Sequence, residues 1–255
     1  MGRAGDSADD RLEGRNPVLE ALRAGRPINK LLVAEGSKDG SIREILALAR
    51  ERRLVVQEVE RKRLDELAGS RAHQGVLALV AAKSYVEVED LLAGARVKGE
   101  PPFLLVLDEL EDPQNFGSIL RTAEGAGVHG VIIPRRRSVG LTAAVGKASA
   151  GAMEYVPVAR VTNVTQTLDF LKKNGIWVAG ADLAGERLYY EADLNGPLAL
   201  VIGGEGRGLG PLVRSRCDLL VRIPMFGRVS SLNAGVAAAL MIYEVVRQRG
   251  LRTPV

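Results

Sequence analysis

Read by the spacing of its apolar positions, the chain falls into a short polar opening and two stretches of different rhythm. Between residues 14 and 82, "NPVLEALRAG" carries helical spacing ended by Gly25 and "INKLLVAE" reads as a strand. "SIREILALARERR" then reads as a second helix, and "LVVQEV" and "GVLALVAA" as two further strands. These segments predict a small α/β domain over residues 13–82. Residues 1–12, which begin "MGRAGDSADD", are expected to be flexible. The stretch "KSYVEVEDLLAGARVKGEPP" mixes charge, glycine and two prolines, and predicts a linker over 83–100 with a short helix inside it.

From residue 101 the rhythm becomes regular. Strand-like "FLLVLDEL", "GVIIP", "YVPVARV", "IWVAGAD", "LALVIGGE" and "LLVRIP" alternate with helix-like "NFGSILRTAEGAG", "LTAAVGKASAGA", "VTQTLDFLKKNG", "GPLVRSRCD" and a long final helix. Short, continuously apolar strands separated by helices are the signature of a parallel sheet covered on both faces. The expected fold is therefore α/β, with a parallel-sheet domain over 101–255 preceded by the small domain.

Composition narrows the function. No run approaches 18 apolar residues and the N-terminus has no signal-like segment, so a cytosolic protein without membrane contact is expected. A single cysteine, Cys217, forms no internal disulfide, and with two separated histidines, His73 and His129, no metal site is implied. Cys217 reads as a structural thiol rather than a nucleophile. The formal charge of +4 hints at an acidic partner. Residues 1–90 hold 16 basic and 16 acidic side chains, and 91–255 hold 19 and 15, so the excess lies in the second stretch. Basic knots at Arg50–Arg53, Arg61–Arg63 and Arg135–Arg137 are either solvated faces or RNA contacts.

Three strand-to-helix loops carry polar residues that could do chemistry. "LALVIGGEGRGLG" is a strand feeding a glycine-rich turn, but Leu209 and Pro211 stand where a dinucleotide fingerprint needs glycine, and no P-loop pattern occurs. Glu205 sits in that turn, at the carboxyl end of a strand, where open sheets bind ligands. In "LDELEDPQNFGSILRTAEGAG", Asn115 is either a helix cap or a site residue. Arg121, six positions later and expected on roughly the same face, either pairs with Glu124 or serves the site. In "RIPMFGRVSSLNAGVAAALMIYEVV", Ser231 and Asn233 open a helix of small residues, again as caps or site groups. Such a set suits charge stabilisation and orientation more than nucleophilic attack by the protein.

In order and spacing, "NFGSILRTAEGAG", "VIGGEGRGLGPLV" and "RIPMFGRVSSLNAGVAAAL" resemble the three motifs of the SpoU (TrmH-type) RNA ribose methyltransferases. "GRNPVLEALRAG" and "HQGVLALV" resemble the substrate-binding domain of the RlmB-like subgroup, which modifies large-subunit ribosomal RNA. The resemblance covers nearly everything after residue 12. It implies a fold of the SPOUT type, with the C-terminal domain tied in a deep trefoil knot, although true knots are nearly absent among proteins in general. It further implies S-adenosylmethionine as cofactor, held by Gly203, Gly204, Ile223, Met225 and Leu232, with Asn115, Arg121, Glu205, Ser231 and Asn233 as the catalytic set. Where the family usually carries a small polar residue, this chain has Gly235.

The implied reaction moves a methyl group to a ribose 2'-hydroxyl of a structured RNA, ribosomal RNA first, in a homodimer without metal. A transfer RNA guanosine 2'-O-methyltransferase is the nearest alternative, and a non-catalytic RNA-binding ribosome-assembly factor is another. The resemblance gives Arg121 the task of helping the hydroxyl lose its proton. A guanidinium stays protonated, so stabilising the developing alkoxide and holding phosphate suit it better than accepting a proton.

Overall fold

The computed structural model describes residues 11–37, 39–68, 73–204, 208–229 and 231–250. They form two compact units. The first takes the chain up to Ser84 together with Leu141–Tyr155, and the second takes Tyr85–Gly140 and Val156 onward.

In chain order the first unit begins with β1 (Arg11–Glu13), α1 (Arg15–Arg23), β2 (Ile28–Ala34), α2 (Gly40–Glu51), β3 (Val56–Val59), α3 (Arg61–Ala68) and β4 (Val76–Val80). Residues 11 and 12, expected in the flexible opening, are thus strand, with Leu12 opposite Ala78 of β4. α1 buries Val18, Leu19, Ala21 and Leu22 on one face, and the chain leaves it through Gly25 at φ +77°, a backbone region that glycine enters without strain. The four strands lie in the order β1-β4-β2-β3, with β4 antiparallel to both neighbours and β2 parallel to β3. α1 and α2 cover one face, where Val18, Leu22, Ile42 and Ile45 pack on Leu31 and Val76. α3, which the sequence presents as a basic knot, inserts Leu64 among Leu32, Ala34 and Leu77.

The second unit starts where a linker is expected. α4 (Val88–Val97) lies there, and its Leu91 and Leu92 belong to the unit's own core beside Leu104 and Ile132. β5 (Phe103–Asp108), α5 (Pro113–Gly125) and β6 (Gly130–Pro134) follow. The chain then contributes α6 (Ala143–Ala148) and a 3₁₀ turn, Ala152–Glu154, to the first unit. There the Glu154 carboxylate, 2% exposed, lies 2.6 Å from the Arg26 guanidinium, 7% exposed. Arg26 Nη2 also donates to the Ala81 carbonyl at 2.8 Å.

β7 (Val158–Val161), α7 (Val164–Lys173), β8 (Trp177–Ala181), β9 (Arg187–Leu188), β10 (Leu198–Gly203), α8 (Pro211–Arg214), β11 (Leu219–Arg222) and α9 (Ala234–Gln248) complete the second unit. All seven strands are parallel, in the order β7-β6-β5-β10-β8-β11-β9. β5 is buried along its whole length and β10 up to its last residue, as central strands covered on both faces must be. No described helix is long and apolar enough to cross a membrane.

Candidate active site

The site grows from the carboxyl ends of β5, β10, β8 and β11. From β5 the chain goes outward through β6 and β7 on one side, while β10 and β8 occupy the other. A crevice at such a reversal is where open parallel sheets take ligands. Here the main chain itself crowds the crevice. A Cβ at Gly203 would stand 2.2 Å from the Gly208 carbonyl, and one at Gly204 2.3 Å from the Glu109 carbonyl oxygen, so no larger residue fits either place. Asp108, buried at the end of β5, accepts the Gly210 N–H on Oδ2 at 2.9 Å and ties the far side of the turn to the sheet. Burial pushes its carboxyl pKa up, against the opposing pull of that hydrogen bond.

Between the ends of β10, β8 and β11 lies a cavity of about 300 Å³. Gly203, Gly204, Ile223, Met225 and Leu232, the five residues expected to hold a cofactor, all line it, and so does Ser231. Two charged side chains face it as well: Asp182 after β8, whose side chain is 4% exposed, and Arg214, with 2.7 Å between them. Asp182 Oδ1 also accepts the Ala184 N–H at 2.9 Å. Sequence reasoning passed over Asp182, although an acid directly after a strand is the signal that singled out Glu205. Glu205 itself lies outside the described residues.

The two asparagines meet. Asn233 caps α9, its Oδ1 accepting the N–H groups of Gly235 at 3.0 Å and Val236 at 3.2 Å. Its Nδ2 donates to Asn115 Oδ1 at 2.8 Å, joining the starts of α5 and α9. Asn115 is not the cap of α5. That place belongs to Asp112, whose Oδ2 accepts the Asn115 N–H at 2.7 Å. The capping reading therefore holds for Asn233 and fails for Asn115, a buried side chain inside the first turn.

Arg121 does not share the face of Asn115. Six residues turn a helix through about 600°, which leaves the two about 120° apart, and Asn115 is buried while Arg121 is exposed. Nor does it pair with Glu124; its side chain makes no hydrogen bond or ion pair with a described residue. Cys217 donates to the Val213 carbonyl at 3.5 Å, and burial pushes its thiol pKa up to about 12, which leaves no thiolate for nucleophilic work. The basic knots are exposed, although Arg63 pairs with Glu66 at 3.0 Å and Arg137 with Glu109 at 2.8 Å. Among the described residues, no group of His, Cys, Asp and Glu could hold a metal ion.

Residues 102–243 match the family described as SpoU rRNA Methylase, and residues 11–86 the domain described as RNA 2'-O ribose methyltransferase substrate binding. A Bacillus subtilis protein, YacO, named as of the TrmH family of tRNA/rRNA methyltransferases, is 50% identical over 240 residues, 94% of this chain and 96% of that protein. An rRNA methyltransferase from Sinorhizobium meliloti, solved with S-adenosylmethionine bound, superposes with a TM-score of 0.79 at 26% identity, over 97% of this chain and 90% of its own. A TrmH/SpoU tRNA modifying enzyme from A. aeolicus, 27% identical with a TM-score of 0.52, covers 58% of this chain and 75% of its own.

Proposed function

We propose, for a chain that belongs to the SpoU family of RNA methyltransferases, that its acceptor is a ribose 2'-hydroxyl on a guanosine of large-subunit ribosomal RNA. The cofactor of this enzyme family is S-adenosylmethionine, which brings an electrophilic methyl group on a sulfonium. The cavity fits it. Ile223, Met225 and Leu232 offer apolar walls for an adenine, Gly203 and Gly204 bring main chain to the cavity, and Ser231 and the Asp182–Arg214 pair are polar groups at the same walls.

The observation that carries the ribosomal reading is the match over both units. The relative named an rRNA methyltransferase covers 97% of this chain, whereas the tRNA-modifying relative covers only 58%. A separate substrate-binding match at 11–86 favours an RNA that needs a second point of contact, and residues 13–82 are the module that grips it. The ribose as acceptor rests on the match of residues 11–86 to the substrate-binding domain of RNA 2'-O ribose methyltransferases.

Within this reading Arg121 holds a phosphate beside the target and stabilises charge developing on the attacking oxygen. Its exposure and its lack of a described partner suit that task. Asn115 and Asn233, joined by their hydrogen bond, hold the starts of α5 and α9 in register so that Arg121 and Ser231 keep fixed places. Glu205 is the remaining orienting group. We read the path from β10 into α9 as a trefoil knot, supported by the main-chain crowding at Gly203 and Gly204. We also read the protein as a cytoplasmic homodimer. Val236, Leu240 and Tyr243, spaced as one face of α9 and all exposed, are what a second copy would cover.

The test incubates the full chain with transcribed large-subunit ribosomal RNA and with bulk transfer RNA, using radiolabelled cofactor. Label is expected in ribosomal RNA, in an alkali-resistant dinucleotide, because a 2'-O-methyl group removes the hydroxyl that attacks the neighbouring phosphodiester. A single 2'-deoxy sugar at the mapped position should abolish transfer while sparing most of the affinity. Label on a base would overturn the ribose assignment, and label confined to transfer RNA would overturn the ribosomal one.

A further inference from the structure

Phe226 is 96% exposed. In a chain with only four phenylalanines, an aromatic ring held almost wholly in water forgoes a large burial gain that a polar residue would not forgo. Scattered exposed apolar residues are ordinary, so position must decide whether this one has a use. Met225 on one side of it and Ser231 on the other both line the cofactor cavity. Phe226 therefore follows directly on a residue of the cavity's wall. Consecutive residues face opposite ways there: Met225 turns to the cavity and Phe226 to solvent. There is open space beside Gly227 as well, where an added Cβ would meet no described atom within 4 Å. Arg228, two positions on, is exposed and makes no hydrogen bond or ion pair with a described residue.

An RNA whose ribose is to be methylated by a donor in this cavity must lie across the cavity's border. Proteins read RNA chiefly where bases are unstacked and can be laid on aromatic rings. A free ring followed by a free guanidinium supplies the two contacts such a segment needs, a face for a base and a charge for the phosphate beside it. We infer that Phe226 stacks on an unpaired base flanking the target nucleotide, with Arg228 on the adjoining phosphate. Phe226 is thereby a positioning residue for the acceptor, and this rests on the RNA methyltransferase reading above.

The test uses the full-length chain and transcribed large-subunit ribosomal RNA as probe. It measures RNA affinity, the salt dependence of that affinity, S-adenosylmethionine affinity and oligomeric state separately. Phe226→Ala is expected to weaken RNA binding on the order of tenfold or more. The slope against salt should stay unchanged, because stacking releases no counterion. Cofactor affinity and oligomeric state should stay at wild-type values. Phe226→Trp should keep RNA affinity and Phe226→Leu should not, since only a flat ring stacks. Arg228→Gln should instead reduce the salt slope by about one unit. The inference is overturned if Phe226→Ala leaves RNA affinity unchanged, or if leucine serves as well as phenylalanine. It is equally overturned if the variant loses cofactor, which would make the ring a cavity wall, or dissociates the protein, which would make it a contact with a second copy. Because binding is read apart from transfer, methylation of a base would sink the ribose assignment and leave this result readable.

Discussion

Both units bury ionisable side chains, and the contrast between them separates a site from a scaffold. In the first unit, Glu154 and Arg26 face each other at 2.6 Å with almost no exposure, and Arg26 spends its other donors on the Ala81 carbonyl. His73, fully buried, accepts the Gly75 N–H on Nδ1 at 3.0 Å, which leaves Nε2 to donate to Asp65 at 3.0 Å. The members of these sets answer one another, with Lys83 Nζ a further partner 3.6 Å from Glu154. In the second unit, Asp182 and Arg214 also pair, but on the wall of a cavity, and Asp108 and Asn115 stand where strand ends and helix starts converge. Burial of charge therefore does not mark the candidate site by itself. What marks it is buried polarity beside main chain so crowded that only glycine fits.

Two arginines put this contrast under the hardest strain. Arg26→Met takes away the guanidinium 2.6 Å from the buried Glu154 carboxylate and leaves it only Lys83 Nζ at 3.6 Å, a loss below the roughly 3–5 kcal/mol of a buried pair broken outright. Chemical denaturation should show that loss, while the transfer rate per folded molecule stays near wild type. Arg121→Ala should do the reverse. Transfer should fall on the order of 100-fold, with the denaturation midpoint and S-adenosylmethionine affinity unchanged. If Arg121→Ala unfolds the chain, or Arg26→Met slows the folded enzyme, the division between scaffold and site collapses.

A finer probe is Asn233→Asp. The carboxylate still caps α9, so the roughly 1 kcal/mol of the cap is retained, but Nδ2 is gone and an acceptor faces Asn115 Oδ1 instead. Stability should change less than in Asn233→Ala, yet activity should fall as far or further. Equal activity in wild type and Asn233→Asp would remove the asparagine pair from the site.

The smallest expected effect concerns pH. His129, buried beside Phe103, is held below its ordinary pKa by burial first and by the Lys98 charge second, with Glu100 pulling the other way. Its folded form is neutral where the unfolded form already takes a proton. Its contribution to stability is therefore complete above the ordinary histidine pKa of about 6.5 and declines as pH falls through that value toward the folded one. Thermal melts between pH 8 and 5 should show a decline that His129→Gln reduces.

Much of this was legible in the residues. β6 has the predicted bounds, and β5, β8, β10 and β11 lie inside their predicted segments, because continuous apolar runs in a parallel sheet have few other uses. β1 and β9 escaped notice, being three and two residues long and held by pairing partners rather than by their own pattern. α4 escaped as a core element because charge and glycine masked Leu91 and Leu92. The glycines of "VIGG" announced a turn, but not that Glu109, from the end of a strand far earlier in the chain, presses against Gly204. The Asn115–Asn233 bond and the Asp182–Arg214 pair are contacts of the same kind, invisible to any local pattern.

The 118 residues between Asn115 and Asn233 also set a schedule for the protein's birth. At a synthesis rate of about 5–20 residues per second, the first asparagine waits roughly 6–24 s for the second to be made. During that interval the first unit's β1 to β4 are already complete, but the cavity lacks Ile223, Met225, Leu232 and the start of α9. A nascent chain thus carries a folded first sheet well before the last walls of the cavity, which end at Ala237 in the first turn of α9, have been made.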